Sequence, residues 1–118
     1  MGKLYLIPNL LGETPIERVI PDDVIHIIKN IKVFATENVK NTRRYLKKID
    51  KAINIDELVF LDLNEHSDIK DIETYLPYLA NQDMGIISEA GCPGIADPGA
   101  ELVALAHKHG YQVIPLVG

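Results

Sequence analysis

An α/β domain, a parallel sheet with helices on both faces, is what the sequence predicts, and three features predict it. Short apolar runs of strand length alternate with amphipathic stretches of helical period along the chain, the pattern of repeated strand–helix units. Those runs are rich in Val, Ile and Leu without a polar residue at every second place, as strands covered on both faces are. One of them, Met84 to Ser88, passes into a helix through a loop dense in Gly and Pro, where ligands bind beyond the carboxyl end of a parallel strand. Chain length fits one domain, residues 1–118, large enough to bury roughly two-thirds of its unfolded surface.

In order, Lys3 to Pro8 reads as the first strand, followed by a loop through Asn9, Leu10, Gly12 and Glu13. Pro21-Asp22-Asp23 opens the first helix, whose acids suit its N-terminus and whose buried side is Val24, Ile27, Ile28 and Ile31, with Ile25 on the flank. Lys32 to Thr36 is the second strand. Val39 to Ala52 is the next helix, and in it Lys40, Arg43, Arg44, Lys47, Lys48 and Lys51 fall within an arc of roughly 140°, opposite Tyr45, Leu46 and Ile49. Two readings stand for that basic face: a solvated surface, or contact with RNA phosphates. Leu58 to Leu63 is the third strand and Asn64 to Asp68 its loop. Ile69 to Asn81 is helical, with Ile69, Ile72, Tyr75, Leu76 and Leu79 inward and Pro77 kinking or shortening it. After the fourth strand and its loop, Asp97 is placed to cap a helix with Pro98 at its first position, and Leu102, Val103, Leu105 and Ala106 supply the buried face. His107, Lys108 and His109 fill the last turn, Gly110 closes it, and Tyr111 to Val117 is the fifth strand.

Composition excludes several classes. Hydrophobic residues are 47% and charged residues 25% of the chain, ordinary for a globular protein, and no apolar run is long enough to span a bilayer. Met1-Gly2-Lys3 leads straight into a strand, so no signal peptide is expected. A single Cys rules out an internal disulfide and a Cys-rich zinc site, and makes a reducing, cytoplasmic setting the default. The four His residues show no metal-ligand spacing, so no metal is expected. A formal charge of −5 argues against a domain that holds nucleic acid by its overall field, though not against a local patch.

The candidate site is the loop Ser88-Glu89-Ala90-Gly91-Cys92-Pro93-Gly94-Ile95, with Asp97 at its end. Glycines there let a ligand lie against bare main chain, and Pro93 and Pro98 stiffen it. Its spacing matches neither the dinucleotide fingerprint nor the phosphate loop. Cys92 has no His and acid near it in a pattern that would make it a nucleophile. His66, in the loop after the third strand, reads either as a surface or capping residue or as part of a site.

The segment Ser88 to Gly99, with the strand Val113 to Gly118, the opening Leu4-Tyr5-Leu6-Ile7-Pro8, and Thr36-Glu37 through Thr42-Arg43, resembles the tetrapyrrole methylase superfamily. The resemblance is greatest to the branch that methylates a ribose 2′-hydroxyl of small-subunit ribosomal RNA. It departs from that branch at Asn9, Leu10 and Glu13, at Asn38-Val39-Lys40 in place of Asp-Thr-Arg, and after the third strand, where only Glu65 and His66 match. What it implies is a strand order of 3-2-4-1-5 and S-adenosylmethionine bound by Pro8, Ser88 to Ile95 and Asp97. It further implies substrate contacts at Gly12, Glu37, Arg43, Glu65 and His66, and a homodimer, while the phosphate reading of the basic helix face adds Arg44 and Lys47 to the candidate substrate contacts. No catalytic residue is assigned. Alternatives remain open: a tetrapyrrole substrate, or a non-catalytic module of the same fold that binds a small ligand or a partner. The family's second domain is not in these residues, so the chain alone is expected to fold without transferring a methyl group.

Overall fold

Alternation of side chains along three short strands sorts the whole interior into two layers. In the computed structural model, which describes residues 1–7, 20–63, 67–87 and 97–116, the central strands are β1 (Lys3–Ile7), β2 (Val33–Thr36) and β4 (Met84–Ile87). Leu4, Val33, Ala35, Met84 and Ile86 face one side and Tyr5, Ile7, Phe34 and Ile87 the other. With β3 (Val59–Asp62) and β5 (Gln112–Pro115) at the edges, the strands pair in parallel in the order β3-β2-β4-β1-β5, as the family resemblance implied. The central strands are nearly wholly buried, and each edge strand is half-buried at its two middle residues and exposed at its ends. Gly85 matters to that packing. A Cβ there would come within 2.5 Å of Ile7 Cδ1 and 3.2 Å of Phe34 Cδ1, so its absence is what admits both side chains.

Right-handed crossovers then decide which helices cover which layer. Helices α1 (Asp22–Lys29) and α2 (Val39–Ile49) follow β1 and β2 and pack Val24, Ile28, Tyr45 and Leu46 on the Phe34 side. Helices α3 (Ile69–Tyr75) and α4 (Asp97–Lys108) follow β3 and β4 and pack Ile72, Leu102 and Ala106 on the Leu4 side. Fully burying each large side chain contributes about 1.5–3 kcal/mol, so the two layers hold the domain together.

Several boundaries differ from the sequence reading, each for a local reason. Helix α2 ends at Ile49 rather than Ala52, because Asp50 leaves helical geometry, accepts a 2.9 Å bond from the Ala52 amide and pairs with Lys29 at 2.7 Å. Lys51 therefore sits in a turn and not on the basic helix face. Pro77 shortens the third helix as expected: α3 stops at Tyr75 and a 3-10 turn, Leu76–Ala80, carries Leu76 and Leu79 into the core. Ile69 was expected inside but is 52% exposed, since it is the first helical residue after the Asp68 cap. The Asp68 cap was missed in the sequence. Its side chain accepts from the Asp71 amide while Asp71 returns a bond to the Asp68 amide. Helix α4 includes Asp97 itself, one residue earlier than an Asp97 cap would have it. β1 ends at Ile7 and β4 at Ile87, and Pro8, Ser88 and Val117 lie outside the described residues.

Candidate functional site

The carboxyl ends of the central strands fall level with one another. Ile7 of β1 and Ile87 of β4 are register partners, and Ile87 is also the partner of Thr36 in β2. The carboxyl ends of β1, β4 and β2 therefore lie side by side. The chain after β1 goes to α1 on one face, whereas the chain after β4 goes to α4 on the other, so the neighbours β1 and β4 mark the point where connections part. A crevice opens at such a switch point, and ligands of open α/β sheets occupy it.

Beside this point, the turn from β2 into α2 is built from hydroxyl groups. Thr36 and Thr42 are both buried and their hydroxyls hydrogen-bond to each other. The Thr42 hydroxyl donates to the Asn38 carbonyl at 3.0 Å, which leaves the Thr36 hydroxyl to donate to Thr42 and to accept from the Asn38 amide at 3.3 Å. Asn38 caps α2 by accepting from the Asn41 amide at 3.0 Å. Glu37 is held in the middle of this turn, half-buried, next to the strand end at Ile87. The role of the two threonines was not read from the sequence, although a Thr six residues after another across a cap is the signal that could have shown it.

Of the expected substrate contacts on α2, all are exposed, and two have partners within the domain. The Arg43 guanidinium lies over the Phe60 ring, 5.5 Å from its centre, and the Lys47 ammonium donates to the carbonyls of Lys51 at 3.0 Å and Ile53 at 2.6 Å. Arg44 is exposed on the same face and, among the described residues, makes no such contact. At the end of β3, the Asp62 carbonyl accepts from the hydroxyls of Tyr75 and Ser67. Burial, with the charges of Asp62 and Asp71, pushes the Tyr75 phenol above its ordinary value, so it stays a donor. The expected cofactor contacts Pro8 and Ser88 to Ile95, the Asp97 side chain, and the expected substrate contacts Gly12, Glu65 and His66 lie outside the described residues.

Two cavities open among the described residues, and both are at the opposite end of the sheet. One, of about 260 Å³, lies under the amino ends of β2 and β3 between Lys32, Phe34, Asn54 and Leu58, and the other, of about 390 Å³, lies beside His109 and Tyr111 just before β5. Neither touches the strand ends at Ile7, Thr36 and Ile87. Among the described residues no group of His, Cys, Asp and Glu could hold a metal ion, and no helix is long and apolar enough to cross a membrane.

No family model matches the chain. Individual proteins do. A ribosomal RNA small subunit methyltransferase I of Synechocystis is 30% identical over 122 residues, covering 100% of this chain and 40% of its own length. The protein of the same name in Borrelia garinii is 34% identical over 97 residues, covering 80% of this chain and 40% of its own, and that of Escherichia coli O157:H7 is 29% identical over 118 residues, covering 99% and 38%. The chain thus spans about two-fifths of the length of the curated relatives it matches. Sheet order and sequence agree: this chain is a homologue of the N-terminal part of ribosomal RNA small subunit methyltransferase I, a member of the tetrapyrrole methylase family.

Proposed function

We propose that residues 1–118 form the cofactor-binding N-terminal domain of an S-adenosylmethionine-dependent methyltransferase that acts on ribosomal RNA, most simply at a ribose hydroxyl. The observation that carries this is the level alignment of Ile7, Ile87 and Thr36 at the point where connections part. In sequence, the segment with Gly91 and Gly94 follows β4 and the segment that begins at Pro8 follows β1. Pro8, Ser88 to Ile95 and Asp97 are the residues that would hold the cofactor, largely through main chain, as the glycines permit. S-adenosylmethionine supplies a methyl group already activated on a sulfonium sulfur. What remains for the protein is to align that methyl with the acceptor oxygen and keep water away, which needs rigid placement more than a titrating side chain. Glu37, fixed by the threonine-lined turn, and Gly12, Glu65 and His66 on neighbouring loops are the candidates for the acceptor side.

A non-catalytic module of the same fold is the rival reading, and it rests on two departures: the altered first loop at Asn9, Leu10 and Glu13, and Asn38-Val39-Lys40 in place of Asp-Thr-Arg. Asn38 weakens the second, because it caps α2 as an aspartate would, and Asn and Asp are equally good caps. A homodimer belongs to the methyltransferase reading and is supported by the family resemblance alone, and a cytoplasmic setting by the single Cys.

Calorimetric titration of the full-length protein with S-adenosylmethionine and with its demethylated product tests the proposal. Gly91→Val should lower affinity at least about tenfold, about 1.4 kcal/mol, by keeping the ligand off the main chain, with the melting temperature unchanged. Equal affinity in variant and parent would place the site elsewhere. Methyl transfer to small ribosomal subunits, and none to tetrapyrroles, is the expected substrate result.

A further inference from the structure

We propose that Lys40, Arg44 and Lys48 are the side chains through which this domain meets the phosphate backbone of its RNA, and that Arg43 and Lys47, on the same helix, serve the fold instead. The inference rests on the RNA reading above and divides the basic face in two. Helix α2 carries Lys40, Arg43, Arg44, Lys47 and Lys48 and no acid, in a chain whose net charge is −5, so the positive potential is concentrated there. Arg43 is spread over Phe60 of the edge strand, and Lys47 is turned back to the carbonyls of Lys51 and Ile53, where it closes the C-terminal end of the helix. Drawing either onto a phosphate would break a contact the fold already has.

The other three have no such tie. Lys40, Arg44 and Lys48 are exposed and, among the described residues, make no ion pair or ring contact. They recur every fourth residue, which on a helix is a step of about 6 Å along the axis, so like charges neighbour one another without an acid between them. That arrangement costs stability unless a polyanion covers it. Position points the same way. Lys40 is in the first turn of α2, next to Glu37 at the carboxyl end of β2, so the row leads from the far end of the helix towards the crevice. A lipid surface is the poorer match, because the large apolar side chains exposed among the described residues are Met1, Val59 and Ile69, none of them on this helix.

The test measures binding of a small-subunit ribosomal RNA transcript by the full-length protein across a salt series. Lys40→Gln, Arg44→Gln and Lys48→Gln together should lower the slope of log affinity against log salt by about 2, since each released phosphate contact removes about 0.7–0.9. Their cofactor affinity should stay with the parent, and their melting temperature should stay level or rise slightly, since the repulsion within the row is removed. The pair Arg43→Gln and Lys47→Gln should keep the parental slope and melt earlier. A slope change per residue as large in the pair as in the triple variant overturns the division, and so does a triple variant with the parental slope. If the unaltered protein transfers methyl groups to small subunits while the triple variant binds RNA normally, only this proposal fails. Absence of RNA binding and methyl transfer in the unaltered protein removes the RNA reading along with it.

Discussion

A single carboxylate shows how this domain spends its surface charge. Asp50 stops α2, accepts from the Ala52 amide, and bonds the Lys29 ammonium at the end of α1, so it ties the C-termini of two helices on one layer. The Lys29 hydrogen bond, then the Ala52 amide, hold its carboxyl below the usual carboxylate range. A carboxyl lowered on folding adds stability above its unfolded value, about 3.9, and that stability is lost as pH falls through the lower folded value. Asp50→Asn should therefore lower the urea midpoint modestly at neutral pH, with the gap to the parent closing in acid below the carboxylate range. A gap that is the same at both pH values would mean that the charge contributes nothing and only the turn matters. Thr36 and Thr42 are the residue-scale counterpart at the functional end: two buried hydroxyls, fully bonded, that fix the turn presenting Glu37.

Helix ends explain most of what could and could not be seen in the sequence. Gly110 was expected to close α4 and does: its φ is 81°, its amide donates to the His107 carbonyl at 3.1 Å, and the Tyr111 amide donates to Ala106 at 2.9 Å. A Cβ at Gly110 would meet open space, so Gly110→Ala should cost about 1 kcal/mol through conformation alone and lower the melting temperature by roughly 4 °C. Thermal denaturation followed by circular dichroism checks this, and an unchanged midpoint would show that the turn tolerates a side chain. Pro77 and the acids of α1 were equally legible, because each acts within its own turn. Asp50 and the Lys47 contacts were not, because they depend on neighbours brought in by folding, Lys29 and the chain returning at Ile53, whereas the Asp68–Asp71 cap that leaves Ile69 at the surface is local and was overlooked. Periodicity placed six cations on one face; only the packed structure tells apart the ones the fold already uses.

For the whole molecule, alternation of apolar runs and helical stretches was enough for the fold class, while the strand order needed the family resemblance, since local sequence carries no signal of which strand pairs with which. That order is what gives the site its place. β1 and β4 are far apart in the chain yet adjacent in the sheet, and the helices that follow them, α1 and α4, cover opposite faces. On the proposed function, S-adenosylmethionine sits at this parting point and not in the cavities at the amino ends of the strands. Titrating the cofactor into isotopically labelled full-length protein and following backbone amide shifts by NMR tests it most directly. The largest shifts should fall on the amides of Ser88 to Ile95, followed by Ile7, Thr36 and Ile87 at the strand ends; shifts centred instead on Asn54 and Leu58, or on His109 and Tyr111, would contradict it.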